Sequence, residues 1–164
     1  MVFIIGGSYQ GKTECAFRRM RNQDKKESEI GAEAFSVFDA RNMKKSEKLE
    51  ALPETERRQA LNARRQVFQE ISDSQTVLHL ELLVRRLMEQ DSETENWEEE
   101  LFSALQDREE AEKIVTADEI GYGIVPLDHF ERAYREKEGR FCQRVAACAR
   151  EVQRVICGVE TRIK

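Results

Sequence analysis

The sequence predicts an α/β fold, a mostly parallel sheet flanked by helices in three layers. Three observations carry that expectation. Short apolar runs recur along the chain and alternate with longer stretches of strong helix formers. The first run, Val2-Phe3-Ile4-Ile5, is continuous rather than alternating, which is the pattern of a strand buried on both faces. It leads directly into Gly6-Gly7-Ser8-Tyr9-Gln10-Gly11-Lys12-Thr13, a full match to G-x-x-x-x-G-K-[ST]. A strand, this loop and a helix in succession specify the P-loop NTPase-like version of the α/β sandwich.

The elements follow in order. Val2 to Ile5 is a strand, and Lys12 to Arg21 a helix. Residues 22–34 are polar and read as a loop, and Ala34 to Asp39 as a second strand. Residues 43–73 are rich in Glu, Lys, Arg, Gln, Ala and Leu, with Pro53 starting or breaking a helix there. Thr76 to Glu81 reads as a third strand, followed by a helix from Leu82 to Gln90, and residues 91–96 are acidic and polar. Trp97 to Arg108 is amphipathic, and Lys113 to Ala117 is a short strand before Asp118-Glu119. Gly121-Tyr122-Gly123 marks a loop closed by Pro126. Leu127 to Val152 reads as a helix interrupted at Gly139. Two last strands, Val152 to Cys157 and Val159 to Ile163, meet at Gly158.

With 164 residues the chain has the length of one ordinary domain, and 1–164 is expected to be a single nucleotide-binding, kinase-like domain. Acidic residues outnumber basic ones, 32 to 27, for a formal net charge of −5. That balance lacks the overall field of a nonspecific nucleic-acid binder. No apolar run approaches the roughly 20 residues of a membrane span, and the N-terminal residues lack the basic leader of a signal peptide. Cys15, Cys142, Cys148 and Cys157 have no C-x-x-C spacing, and His79 and His129 are the only histidines, which argues against a zinc site. The cysteines read as reduced, buried thiols of a cytoplasmic protein.

The glycine-rich motif carries most of the chemistry. Backbone N–H groups from Gly6 to Thr13 are expected to surround phosphate oxygens, helped by the positive end of the following helix. Lys12 would reach the β and γ phosphates, and Thr13 would ligate Mg²⁺. Such a loop needs an acidic partner at the end of another strand. Glu81 is the best-placed carboxylate, for Mg²⁺ or for catalysis, and Asp39 at the end of the second strand is next. His79, within a short apolar strand, reads as a core histidine. Glu119 follows a strand on the usual ligand side of an open α/β sheet. Arg132 and Arg135, three apart on one helical face, can bind phosphate as a fork.

A second segment, Thr116-Ala117-Asp118-Glu119-Ile120-Gly121-Tyr122-Gly123-Ile124-Val125-Pro126, taken with the loop at Gly6–Thr13, resembles the adenosylcobinamide kinase/adenosylcobinamide-phosphate guanylyltransferase family of cobalamin biosynthesis. That family carries a strand ending in Asn-Glu-Val-Gly-x-Gly-Ile-Val-Pro. The similarity continues through Arg132-Ala133-Tyr134-Arg135, Gly139-Arg140-Phe141-Cys142-Gln143 and Ala146-Ala147, and closes on Val152, Val155, Gly158 and Lys164. Residues 1–20 and 112–164 resemble the family clearly, and residues 22–75 barely do.

The resemblance implies a two-step enzyme. A nucleoside triphosphate, ATP or GTP, phosphorylates the aminopropanol hydroxyl of adenosylcobinamide, and GTP then donates GMP to that phosphate through a guanylylated histidine. It implies a corrinoid substrate and a homotrimer. The family places its histidine after the second strand, whereas this chain has none between residues 14 and 78 and carries Arg57, Arg58, Arg64 and Arg65 in the corresponding stretch. Asp118 and Cys142 stand where the family usually has Asn. The resemblance therefore carries the kinase half and leaves guanylyl transfer without its nucleophile. A P-loop kinase or NTPase acting on another substrate, and a non-catalytic ATP or GTP sensor, fit the same motif.

Overall fold

The computed structural model describes residues 1–27, 36–44, 47–90, 96–106 and 112–164. Among these residues six strands form one sheet: β1 (Val2–Gly6), β2 (Val37–Asp39), β3 (Thr76–Leu78), β4 (Ile114–Asp118), β5 (Glu151–Ile156) and β6 (Val159–Arg162). Five α-helices accompany them: α1 (Lys12–Glu27), α2 (Glu54–Asp73), α3 (Leu80–Gln90), α4 (Trp97–Gln106) and α5 (His129–Cys148). The strand order is β2-β3-β4-β1-β5-β6, parallel throughout except for β6, which returns antiparallel against β5.

β1 lies inside the sheet between β4 and β5, with Gly6 in register with Asp118. Its apolar run is continuous because both faces are covered. Alternation then sorts the run into two cores. Val2 and Ile4 pack with Cys15, Ala16 and Met20 of α1 and with Leu78, Ile114 and Val155. Phe3 points to the other face, where it joins Val77, Val115 and Val152 with apolar residues of α2, α3, α4 and α5. Within that larger core the Phe141 ring meets Trp97 at 6.5 Å and Phe102 edge-on at 6.3 Å between centroids. Such offset and edge-to-face pairs add to plain area burial.

Several boundaries differ from the sequence expectation. α1 runs past Arg21 to Glu27, because the Gln, Lys and Glu among the polar residues 22–27 are good helix formers even though the stretch reads as a loop. Ala34 and Phe35 of the expected second strand, the rest of the 22–34 loop, most of the acidic stretch 91–96 and the end of the 97–108 helix lie outside the described residues. Pro53 does start a helix, as the residue preceding Glu54, where its missing N–H has no bond to lose. The third strand is three residues long, not six. It stops at Leu78, and His79 with φ 63° turns the chain into α3. Of the cysteines, Cys15 is buried and Cys142 half-buried, but Cys148 and Cys157 are exposed, and all four are free thiols. No helix among the described residues is long and apolar enough to cross a membrane.

α5 is continuous through Gly139. Asp128 caps it by accepting from the Glu131 N–H at 2.9 Å. Burial of Tyr134, Phe141 and Val145 on either side of the glycine outweighs the roughly 1 kcal/mol that glycine costs in a helix interior. A Cβ added at Gly139 would meet nothing within 4 Å. Gly139→Ala is therefore expected to stabilise the fold by about 0.5–1 kcal/mol, read as a rise of about 2–3 °C in Tm by thermal denaturation.

Candidate functional site

The candidate site lies at the C-terminal ends of the parallel strands, the usual ligand side of an open α/β sheet. A cleft of about 680 Å³ opens there, lined by Ser8–Glu14 and by Arg41, His79, Glu81, Leu82 and Asp118. The loop leaving β1 is forced into an unusual backbone: Tyr9 has φ 60° and Gly11 φ 91°. Gly6 has no room for a side chain, since a Cβ there would stand 2.4 Å from the Val155 carbonyl oxygen. Lys12 begins α1 and is only 5% exposed. Its Nζ donates to Gly7 O at 2.8 Å and pairs with Asp118 Oδ1 at 2.5 Å. The other Asp118 oxygen accepts from Ser8 Oγ at 2.5 Å.

Glu81 sits beside this pair, but not as the end of a strand. It belongs to the first turn of α3 and is 4% exposed. One carboxylate oxygen accepts from the Asp118 N–H at 3.0 Å, and the other faces His79 Nδ1 at 3.1 Å. His79 is not a core histidine within a strand: its backbone is left-handed, its N–H donates to Thr116 Oγ1 at 3.0 Å, and its ring lines the cleft. Its Nε2 is buried without a hydrogen-bond partner. His79, Glu81 and Asp118 each offer one ligand atom, all within 4.8 Å of one another. The two carboxylates are oxygen donors of the kind Mg²⁺ takes, and Thr13 borders the same cleft, so the residues fit that ion.

The other predicted residues take different places. Asp39 does not line the cleft. It caps the 3₁₀ turn at Ala40–Asn42 and holds the Arg41 guanidinium with both oxygens, at 2.6 to 3.1 Å. Burial works to raise the Asp39 carboxyl, yet the Arg41 guanidinium and N–H prevail and hold it below the usual carboxylate range. Arg41 in turn borders the cleft. Glu119 donates its N–H to Gly6 O at 2.9 Å and turns its carboxylate to Arg154 Nη2 at 2.9 Å. Arg132 donates to the carbonyls of Pro126 and Leu127, at 2.9 and 2.6 Å, and Arg135 to that of Ile124 at 2.9 Å. In this geometry the two arginines hold the loop before α5 rather than project into the cleft.

The structure thus brings Gly7–Thr13 and Glu81 together with Asp118, His79 and Arg41, three residues the sequence reading did not place there. Asp118 carries a partial signal, since it ends an apolar run; that this run pairs in parallel with the one before the glycine loop comes from the sheet order. His79 and Arg41 carry no comparable signal.

A G-x-x-x-x-G-K-T loop between an inner strand and the first helix of such a sheet, with acidic side chains opposite its lysine, defines a P-loop NTPase-like protein. The family model that matches residues 2–163 is described as cobinamide kinase / cobinamide phosphate guanyltransferase, and the chain belongs to that family. It is similar to the bifunctional adenosylcobalamin biosynthesis protein CobU of Salmonella typhimurium (strain LT2), with 41% identity over 54 residues. It is also similar to the protein of the same name from Escherichia coli (strain K12), with 39% identity over 54 residues. Each match covers 33% of this chain and 30% of the relative.

A further carboxyl belongs to the electrostatics of this region. Glu138 of α5 is 3% exposed and accepts from the Cys142 thiol at 2.8 Å. Burial pushes its pKa up to about 7; the Cys142 hydrogen bond opposes this, and the Glu81 and Asp118 charges add to the rise. The folded chain therefore binds this proton more tightly than the unfolded chain does. The stability it contributes is fully present below the ordinary value of 4.5 and is lost as pH rises through about 7. Glu138→Gln, neutral at every pH, is expected to be more stable than the parent by on the order of 2 kcal/mol at pH 8, with the gap shrinking towards pH 5. Urea denaturation at both pH values measures it, and a gap independent of pH contradicts this reading.

Proposed function

We propose that the chain is a Mg²⁺-dependent phosphotransferase that moves the γ-phosphoryl group of ATP or GTP to the aminopropanol hydroxyl of adenosylcobinamide. The observation that carries this reading is the buried Lys12 ammonium, held between the Gly7 carbonyl and Asp118 at the mouth of α1, with Glu81 alongside. In the reaction the acceptor oxygen forms a bond to the γ phosphorus. The bond from that phosphorus to the β–γ bridging oxygen breaks, a nucleoside diphosphate leaves with the electron pair, and the proton of the acceptor hydroxyl is released to water.

The chain supplies positioning and charge rather than covalent chemistry. Backbone N–H groups of Gly7–Thr13 and the N-terminus of α1 receive the β and γ oxygens. Lys12 exchanges Asp118 for those oxygens and stabilises charge as it builds on the leaving oxygen. Thr13, Glu81 and Asp118 would hold Mg²⁺, which supplies neutralisation of the phosphate charge. Arg41, fixed by Asp39, adds positive charge at the rim. Glu119, Arg132 and Arg135 serve the site indirectly, by holding the 119–127 segment next to the glycine loop.

Guanylyl transfer is not included in this reading. His79 directs Nδ1 at Glu81 and buries Nε2, and His129, the first residue of α5, is not among the residues that line the cleft.

Transfer from γ-labelled ATP and GTP to adenosylcobinamide in the presence of Mg²⁺ tests the proposal. Label is expected on the corrinoid, with Lys12→Ala reduced about 10²–10³-fold while its melting temperature stays within a few degrees of the parent. Glu81→Gln is expected to raise the Mg²⁺ concentration needed for half-maximal rate about tenfold. Full activity in Lys12→Ala would sink the site. A companion reaction with α-labelled GTP reads the second activity: label on protein or corrinoid would extend the reading to guanylyl transfer.

A further inference from the structure

We propose that the β5–β6 turn, Cys157-Gly158, is a working part of the nucleotide site: it grips Gln10 and sets the backbone of the phosphate-binding loop, making Gln10 and Gly158 positioning residues. The inference rests on the reading of Gly6–Thr13 as a nucleotide site.

The turn is a two-residue hairpin, with Ile156 opposite Val159 and both central residues at positive φ, 51° for Cys157 and 77° for Gly158. That is the type I′ geometry whose twist matches the flanking strands. In such a turn the hairpin's own bond uses the N–H of the residue after the turn. The two central N–H groups are left as outward donors. Here both are taken by one residue of the loop. The Cys157 N–H donates to Gln10 Oε1 at 2.6 Å, and the Gly158 N–H to the Gln10 main-chain carbonyl at 2.8 Å.

The second bond has a consequence for phosphate binding. The peptide between Gln10 and Gly11 is planar and trans, so its C=O and N–H point in opposite directions. Fixing the carbonyl on the turn aims the Gly11 N–H away from it, to the side the cleft occupies. The approach is tight on the Gly11 side. A Cβ at Gly11 would stand 3.2 Å from Gly158 Cα, and Gly11 is itself left-handed at φ 91°. The hairpin is tied to the following helix as well, through the ion pair of Arg18 in α1 with Glu160 in β6. The loop is thus backed by β5 at Gly6, by the turn at Gln10 and Gly11, and by β6 at α1.

Binding of a fluorescent GTP or ATP analogue to the full chain with Mg²⁺ reads the effect. Gly158→Val, whose branched side chain disfavours positive φ, is expected to weaken nucleotide binding about tenfold. Gly158→Asn, which tolerates left-handed backbone, is expected to recover at least fivefold of that loss. Gln10→Ala removes one of the two bonds and is expected to weaken binding about fivefold. Amide hydrogen exchange supplies a direct readout: Gln10→Ala should speed exchange at Cys157 about tenfold and change Gly158, which the main-chain carbonyl still holds, much less. Should Gly158→Val fail to fold, Gln10→Ala carries the test alone. Parent-like affinity in both Gln10→Ala and Gly158→Val overturns the proposal and leaves the nucleotide reading standing. Equal loss in Gly158→Asn and Gly158→Val also overturns it. A parent chain that binds neither analogue overturns the nucleotide reading, and this proposal with it.

Discussion

The constraint on which the rest of the site depends is the position of β1 between β4 and β5. A phosphate-binding loop must be rigid before its ligand arrives, because N–H groups that reorganise on binding lose much of their electrostatic advantage. A loop at a sheet edge would have one neighbour. This one has two. β4 delivers Asp118 to Lys12 and Ser8 on one side, and β5 brings the Val155 carbonyl against Gly6 and its turn against Gln10 on the other. Two glycines of the motif stand where glycine is required: Gly6 where β5 presses closest, and Gly11 where φ turns positive.

The charges in the cleft follow from the same arrangement. Its lining holds two cations, Lys12 and Arg41, against three carboxylates, Glu14, Glu81 and Asp118. Under the proposed function, a bare triphosphate would meet that excess, and a divalent cation held by the carboxylates would supply the charge that offsets it. Lys12 is almost fully buried, and its ammonium is satisfied by the carbonyl of Gly7 and the carboxylate of Asp118. Glu138 holds its proton to near neutral pH chiefly because it is buried, with the Glu81 and Asp118 charges adding to the rise.

The sequence discloses this site unevenly, for physical reasons. β1 and the loop are legible because a continuous apolar run and a fixed glycine spacing are local requirements. The interruption of α5 at Gly139 is not real, because helix propensity is a weak term beside the burial of Phe141 and Val145. The stretch from Thr76 to Glu81 misleads because Leu78, His79, Leu80 and Glu81 alternate as a half-buried strand would. The structure ends the strand after three residues and absorbs the change of direction in a left-handed His79, a conformation that sequence periodicity does not report. Glu81 reaches the cleft all the same, because the first turn of a helix that follows a strand stands over the same sheet edge. Asp118 required knowing which strand lies next to β1, and strand order is not a local property.

The two arginines of α5 share the face that their spacing gives them, and in this structure their donors go to main chain. Arg132 and Arg135 do share a helical face, and their guanidinium groups do find oxygen acceptors three residues apart. Those acceptors are the carbonyls of Ile124, Pro126 and Leu127, not phosphate oxygens. A segment containing Gly121, Gly123 and Pro126 makes few backbone bonds of its own, so its carbonyls need donors from outside. Arginine can satisfy several at once from one planar group. The result is an ordered loop that leaves Ile124 and Leu127 almost fully exposed on the ligand side of the sheet. Such exposure is stable only because the polar backbone beneath those side chains is held. The same requirement, that backbone groups be paired before side chains can be displayed, governs both the loop at Gln10 and the loop at Ile124. It explains why so much of the cleft's surroundings consists of side chains bonded to main chain.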